Sequence, residues 1–374
     1  MSPTTTPTPA SIAPAELADR LERHEPVTVL DVRDDASWAI EAPTLSVRHI
    51  PAADILADPG AAVADLDGPA VVVCNRGLTA VKVADALRHA GAEASVLDGG
   101  MRGWIGALRA WPLELGVDGL AAWQIQRPGR GCLSYLLAAG GEALVVDPAP
   151  DAAFYVDLAA QAGATVTSVV DTHLHADHLS GARALAAATG ATLRLPAPAL
   201  ERGVADADTI TPLRDGDVID LGGVAIRALA LPGHTTDMTG LVVSDRALVS
   251  GDSLFADGIA RPDLQRRDPA GACAMGRTLH ATLHARVLAL GDDVVLLPGH
   301  AHPGVHDGAI APTLAAVRAA VPELAIGDAG AFADELLADM PPRPANYEAI
   351  IAANSGTHPF DPELETGGNS CATR

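Results

Sequence analysis

The chain has 374 residues, and at roughly 150 residues per domain that points to two domains. Residues of the hydrophobic set make up 48%, which supplies two cores and excludes wholesale disorder. The formal net charge of −22 (25 Lys plus Arg against 47 Asp plus Glu) repels phosphate backbones and anionic lipid, so neither a nucleic-acid nor a membrane partner is expected.

In chain order, residues 1–13 are Pro/Thr-rich and read as a disordered tail. They show no basic region followed by an apolar run, hence no secretory signal, and the four widely spaced cysteines (Cys74, Cys132, Cys273, Cys371) suit a reducing cytoplasm. The runs 27–32, 70–74 and 95–97 read as buried strands, with a helix over 79–89 closed by Gly91. Strands alternating with helices imply a parallel sheet covered on both faces, over about 14–113, followed by a linker at 114–122. A second unit over 123–340 opens with a hairpin at Gly140-Gly141 and a helix at 152–162. A strand at 166–171 then runs straight into a His-rich loop, and helix 179–189 follows. Further on come a hairpin turning at Gly222-Gly223, strands at 247–250 and 294–297, and one long helix over 269–290. Beyond 341 Pro density rises and apolar periodicity fades, so 341–374 reads as a wrapping tail.

Nine of the thirteen histidines fall between 173 and 306. The densest group is His173-Leu174-His175-Ala176-Asp177-His178, directly after a strand. His234, Asp252 and His300 each follow an apolar strand with a glycine immediately before them (Gly233, Gly251, Gly299). Strand ends fixed by a sheet, with glycines that permit tight turns, bring imidazoles and carboxylates to one rim, as a metal site requires.

His-x-His-x-Asp-His followed by His, Asp and His resembles the metallo-β-lactamase superfamily, an αββα sandwich. Gly251-Asp252-Ser253-Leu254-Phe255 with the later Arg261-Pro262-Asp263 resembles its persulfide dioxygenase group, although Ala260 and its neighbours carry no Cys and His302 stands where that group has Tyr. The resemblance implies one Fe(II) per chain held by His173, His234 and Asp252, with Arg261 as a substrate contact. It also implies that His175, Asp177, His178 and His300 match the residues that complete a two-metal centre in the hydrolases, where the cofactor would be one or two Zn(II). Two His and one carboxylate leave room for a thiolate and dioxygen on iron, whereas zinc would activate water.

Cys74 joins a buried strand to a helix N-terminus, where loop amides and the helix dipole favour thiolate. Together with Asp31-Val32-Arg33, His49-Ile50-Pro51 and Asp98-Gly99-Gly100-Met101-Arg102-Gly103-Trp104, the loop Cys74-Asn75-Arg76-Gly77-Leu78-Thr79 resembles a rhodanese domain, with Thr79 where that pattern has Arg. The resemblance makes Cys74 a nucleophile that carries sulfane sulfur, and Arg76 a substrate contact.

The function expected from both halves is oxidation of glutathione persulfide by O2 to sulfite and glutathione, with the rhodanese domain moving sulfane sulfur. The alternative is a glyoxalase II-like hydrolase of a glutathione thioester carrying a rhodanese-like binding module. Self-association into a homo-oligomer is compatible with the sequence but not fixed by it.

Overall fold

The computed structural model describes residues 10–365 apart from 36–38, 43, 65, 67, 267, 339 and 344, so most of the expected N-terminal tail and Cys371 lie outside the described residues. The first unit is a five-stranded, all-parallel sheet in the order Ser11–Ile12, Ala94–Leu97, Ala70–Val73, Val27–Asp31, Leu45–His49. Its strands carry apolar residues on both faces because helices cover both sides. Ala80, Val83, Ala84 and Leu87 of helix Leu78–His89 pack against Leu30, Val72 and Val96 on one face. Leu17 and Leu21 of helix Pro14–Glu22 pack with Val29, Val71 and Trp104 on the other. The end of the supposed disordered tail is thus partly ordered: Ser11–Ile12 pairs with Val96–Leu97, whose outer hydrogen-bonding groups it satisfies.

The second unit stacks a seven-stranded sheet on a five-stranded one. Leu133, Tyr135, Leu137 and Leu144 of the larger sheet interdigitate with Ile226, Ala228, Leu241 and Val249 of the smaller. Helices Ala152–Gln161 and Ala182–Thr189 cover the larger sheet, and helices Pro269–Thr282, Leu314–Ala320 and Ala329–Leu337 cover the smaller, completing an αββα sandwich. The Gly140-Gly141 turn forms as expected, with both residues at positive φ (58° and 84°) between Cys132–Ala139 and Glu142–Val146. The segment 269–290 is helical throughout but not uniform, since after Thr282 it widens into a five-residue π-helical stretch, Leu283–Val287.

Two boundaries move. Arg109–Leu113, placed by its position at the end of the first unit, pairs antiparallel with Ala121–Arg127 and is the outermost strand of the larger second-unit sheet. The stretch 114–122 is therefore a strand-to-strand connection within that sheet rather than an interdomain linker. The tail after 341 is not featureless either: it holds helix Tyr347–Asn354 and the single turn Pro362–Glu365, which pack against both units. Among the described residues no helix is long and apolar enough to cross a membrane.

Candidate metal centre and cysteine site

The metal-ligand candidates sit where strands of both sheets end. Strand Thr165–Val170 delivers His173 and the loop after it, while strand Ala247–Gly251 delivers Asp252. Gly251 has φ +49°, and a Cβ there would lie 2.3 Å from Met238 Cε and 2.8 Å from Thr172 Oγ1, so the turn into Asp252 has room only for glycine.

The hydrogen bonds fix the tautomers. Thr172 Oγ1 donates to Asp147 Oδ2 at 2.9 Å, so its oxygen is left to accept from His173 Nδ1 at 3.0 Å. His234 Nδ1 donates to the Arg261 carbonyl at 2.9 Å. Each ring therefore carries its proton on Nδ1 and presents the Nε2 lone pair. These two Nε2 atoms lie 3.9 and 3.8 Å from Asp252 Oδ2, a spacing that suits three donors around one ion. His173 Nε2 and Asp252 Oδ2 are buried without any hydrogen-bond partner, an arrangement that would be costly for a site meant to stay empty. Burial and the neighbouring His175 hold His173 well below the ordinary imidazole range, so it stays neutral and able to ligate.

The remaining candidates form two other groups. His178, Asp177 and His300 gather with Cys132, a cluster in which donors meet each other. Asp177 Oδ2 lies 3.0 Å from His178 Nδ1 and 2.7 Å from His300 Nε2, and His300 Nδ1 donates to Asp252 Oδ1 at 2.7 Å. Burial opposes charge on both imidazoles, yet the carboxylates beside them raise His178 and His300 well above the ordinary range. Burial likewise pushes the Cys132 thiol up, but His178 and His300 outweigh it and bring the thiol down to about 5. His175 turns to a third group: its Nε2 is 3.1 Å from Asp147 Oδ1 and 3.8 Å from Asp171 Oδ1, while its Nδ1 is buried without a partner. Burial pushes Asp171 up to about 6.

Sequence reasoning missed Cys132, Asp147 and Asp171. The two acids follow buried strands as Asp252 does, but Val146 and Val170 stand where Asp252 has Gly251, so the strand-plus-glycine pattern passes over them. Cys132 begins its strand, and only the bridge between Cys132 and His300 brings it in. Missed as well were the braces supplied by the C-terminal segment. The Asn354 amide donates to the carbonyls of His175 (3.0 Å) and His178 (2.8 Å) and accepts from Ser180 N (2.9 Å). Glu365 accepts from Leu179 N at 2.9 Å while pairing with Arg127. Arg130 donates to the carbonyls of both Glu365 and Asp177.

Arg261 does not stand as a substrate cation. It is buried, its guanidinium is held by Asp263 (2.8 Å) and the Pro341 carbonyl (2.7 Å), and it reaches the site through the backbone oxygen that orients His234.

In the first unit, Cys74 ends strand Ala70–Val73 and its Sγ accepts from Ala80 N at 3.4 Å. Met101 N and Arg102 N, in the first turn of helix Gly100–Gly106, donate to the carbonyls of Cys74 (2.9 Å) and Asn75 (3.0 Å). Gly100 is what allows the approach, since a Cβ there would come within 2.1 Å of the Cys74 carbonyl. Cys74 lines a cavity of about 910 Å³ with Arg76, Thr79, Met101, Arg102 and Glu363.

Residues 127–321 match the metallo-beta-lactamase superfamily and residues 13–107 the rhodanese-like domain. The hydroxyacylglutathione hydrolase of Acidiphilium cryptum is 36% identical over 171 residues, 45% of this chain and 63% of that protein. The mitochondrial persulfide dioxygenase ETHE1 of Homo sapiens is 29% identical over 185 residues, 48% of this chain and 68% of that protein. The crystal structure of ETHE1 from Myxococcus xanthus superposes with a TM-score of 0.54 at 26% identity, covering 63% of this chain and 97% of that one. A metallo-beta-lactamase from Staphylococcus aureus shares the fold with a TM-score of 0.59 at 23% identity, over 64% of this chain and 74% of that one. The chain belongs to the metallo-beta-lactamase superfamily and carries a rhodanese domain in the same polypeptide.

Proposed function

We propose that the protein is a persulfide dioxygenase, oxidising glutathione persulfide with O2 to sulfite and glutathione, with sulfane sulfur passing through Cys74. The observation that carries this reading is the contrast between the donor groups. His173 Nε2, His234 Nε2 and Asp252 Oδ2 face one another, two of the three without a hydrogen-bond partner, while in the Asp177–His178–His300 group the Asp177 carboxylate is already ion-paired with both imidazoles, although His300 Nε2 also makes no hydrogen bond. One open two-His, one-carboxylate face suits a single ferrous iron, which when bound supplies free positions for a thiolate sulfur and dioxygen. The chain's own part is to hold that face: Thr172 and the Arg261 carbonyl set the imidazole tautomers, and His300 turns Asp252 so that only one oxygen faces the ligand position. In the first unit, Cys74 takes up sulfur as a persulfide, and Ala80 N is placed to stabilise its negative charge.

A second reading, hydrolysis of a glutathione thioester at a two-zinc centre, draws on the partnerless His175 Nδ1 as a further donor and on the hydrolase relatives. Metal analysis of protein purified without added metal, combined with oxygen uptake on glutathione persulfide, decides between them. About one iron per chain with persulfide-dependent oxygen uptake is expected. Two tightly bound zinc ions, lactoylglutathione hydrolysis and no oxygen uptake would replace the dioxygenase by the hydrolase.

A further inference from the structure

A cavity of about 370 Å³ lies in the second unit between helix Ala182–Thr189, strand Thr192–Pro196 and the chain that follows helix Tyr347–Asn354. That volume suits a small organic molecule. Its wall is mostly hydrocarbon, supplied by Pro150, Ala184, Leu193, Leu195 and Phe360. Phe360 is 54% exposed, an aromatic ring left uncovered at the rim. An apolar wall beside open water is stabilised by whatever apolar group covers it.

A guanidinium enters this wall. Arg183 Nη2 donates to the carbonyls of Ala205 (3.0 Å) and Ser355 (3.2 Å), and its Nε to that of Asn354 (3.5 Å). Neutral carbonyls fix the group in place without cancelling its charge. Among the described residues no carboxylate is paired with Arg183, although the chain carries 47 acids against 25 Lys plus Arg. Gly356, also in the lining, leaves the group uncovered: a Cβ there would lie 3.1 Å from Arg183 Cζ. The carboxylate in the lining, Asp171, is already engaged, since both its oxygens accept from Ser180 Oγ at 2.9 and 2.7 Å. A part-buried positive charge next to bare hydrocarbon is complementary to an anion with an apolar body.

We propose that this cavity binds a small carboxylate of the medium-chain fatty acid type, its head on Arg183 and its tail along Leu193, Leu195 and Phe360. The site is separate from Cys74 and does not depend on which reaction the metal centre performs. Its walls nevertheless support the metal loop. Asn354 lines the cavity and donates to the carbonyls of His175 and His178, and Asp171 Oδ1 stands 3.8 Å from His175 Nε2. A ligand that fills the cavity therefore restrains the segment bracing that loop, so bound carboxylate and bound metal stabilise one another.

The test uses the full, metal-loaded chain at neutral pH and follows displacement of anilinonaphthalenesulfonate by decanoate, with decanol as the uncharged control. Decanoate should displace the dye in one saturable step, and decanol about tenfold less well, the difference made by one hydrogen-bonded charge. Ala184→Trp, at an exposed helix position, places bulk in the mouth of the cavity and should abolish the displaceable dye signal while metal content and circular dichroism stay native. Arg183→Gln should weaken decanoate about tenfold and leave decanol unchanged. Because Arg183 also ties two backbone segments together, Ala184→Glu gives an independent check, since a fixed negative charge at the mouth should weaken decanoate and spare decanol. A dye signal unaltered in Ala184→Trp puts the dye elsewhere and overturns the proposal. Equal binding of decanoate and decanol overturns it too, because the cavity would then be an apolar void with no use for Arg183. Saturating decanoate should slow the loss of metal to a chelator by about fivefold or more in the native chain and have no effect in Ala184→Trp. A rate indifferent to decanoate in the native chain would sever the cavity from the metal loop.

Discussion

His300 Nδ1 donates to Asp252 Oδ1 at 2.7 Å, and this contact leaves Asp252 Oδ2 as the carboxylate atom facing His173 and His234. His300 thus acts on the metal face through Asp252 rather than from within it. Asp252→Ala is expected to lose both metal and oxygen uptake, because two imidazoles alone hold ferrous iron poorly. His300→Ala should keep its iron and lose about 10- to 100-fold in activity, the usual effect of removing a partner that orients a ligand. Metal content of the two variants is the measurement. Equal loss from both would mean that His300 is itself a ligand and that the centre holds two ions.

Replacing Cys74 by serine should abolish cyanide-dependent sulfur transfer and leave oxygen uptake on supplied glutathione persulfide largely intact, since the two sites lie in different units. Mass spectrometry supplies the direct check. The native chain should gain one sulfur atom at Cys74 on exposure to thiosulfate, and full transfer activity in Cys74→Ser would remove it from the nucleophile role.

The Arg127–Glu365 pair makes a pH prediction. Burial alone would raise the Glu365 carboxyl, but Arg127 beside it pulls it from 4.5 down to about 2. The folded-state value lies below the unfolded one, so the stabilisation is complete above about pH 4.5 and fades as the pH falls towards 2. Its size is on the order of 3 kcal/mol. Glu365→Gln should therefore be markedly less stable to urea near neutral pH, with a gap to the native chain that narrows between pH 5 and pH 3. A gap independent of pH would show that the charge on Glu365 contributes nothing.

Asn354→Ala strips partners from two loop carbonyls and from Ser180 N, at a cost of about 1–3 kcal/mol for each buried group left unsatisfied. Because those carbonyls belong to His175 and His178, the expected readout is faster loss of metal to a chelator. Faster loss, with little change in the thermal unfolding of the first unit, is the anticipated result. Unchanged chelation kinetics would limit Asn354 to holding its own helix in place.

Much of this architecture was legible from local patterns. Runs such as 27–31, 70–73 and 247–251 are apolar on both faces because they are buried on both faces, and a His or Asp following such a run is delivered to a sheet rim. That logic brought His173, His234 and Asp252 together correctly in space. It failed where a contact is made by chain segments far apart in sequence. Glu363 and Glu365 carry no periodic signal, yet one meets Arg102 across 261 residues and the other Arg127 across 238. Arg261 misled for a different reason: a cation near a motif looks the same in sequence whether it faces a substrate or is sealed against Asp263, and only burial distinguishes the two.

Arg109–Leu113 has a practical consequence for anyone dividing the chain. It follows helix Gly100–Gly106 after only two residues and forms the outer rung of the seven-stranded sheet. A cut at the apparent domain border near 113 would strip that rung and bare the hydrogen-bonding groups of Ala121–Arg127 along its whole length. An unprotected strand of that kind is a template for pairing with other molecules, so the second unit produced in this form should precipitate or swap strands between copies. Beginning it at or before Leu108 keeps that outer strand in place.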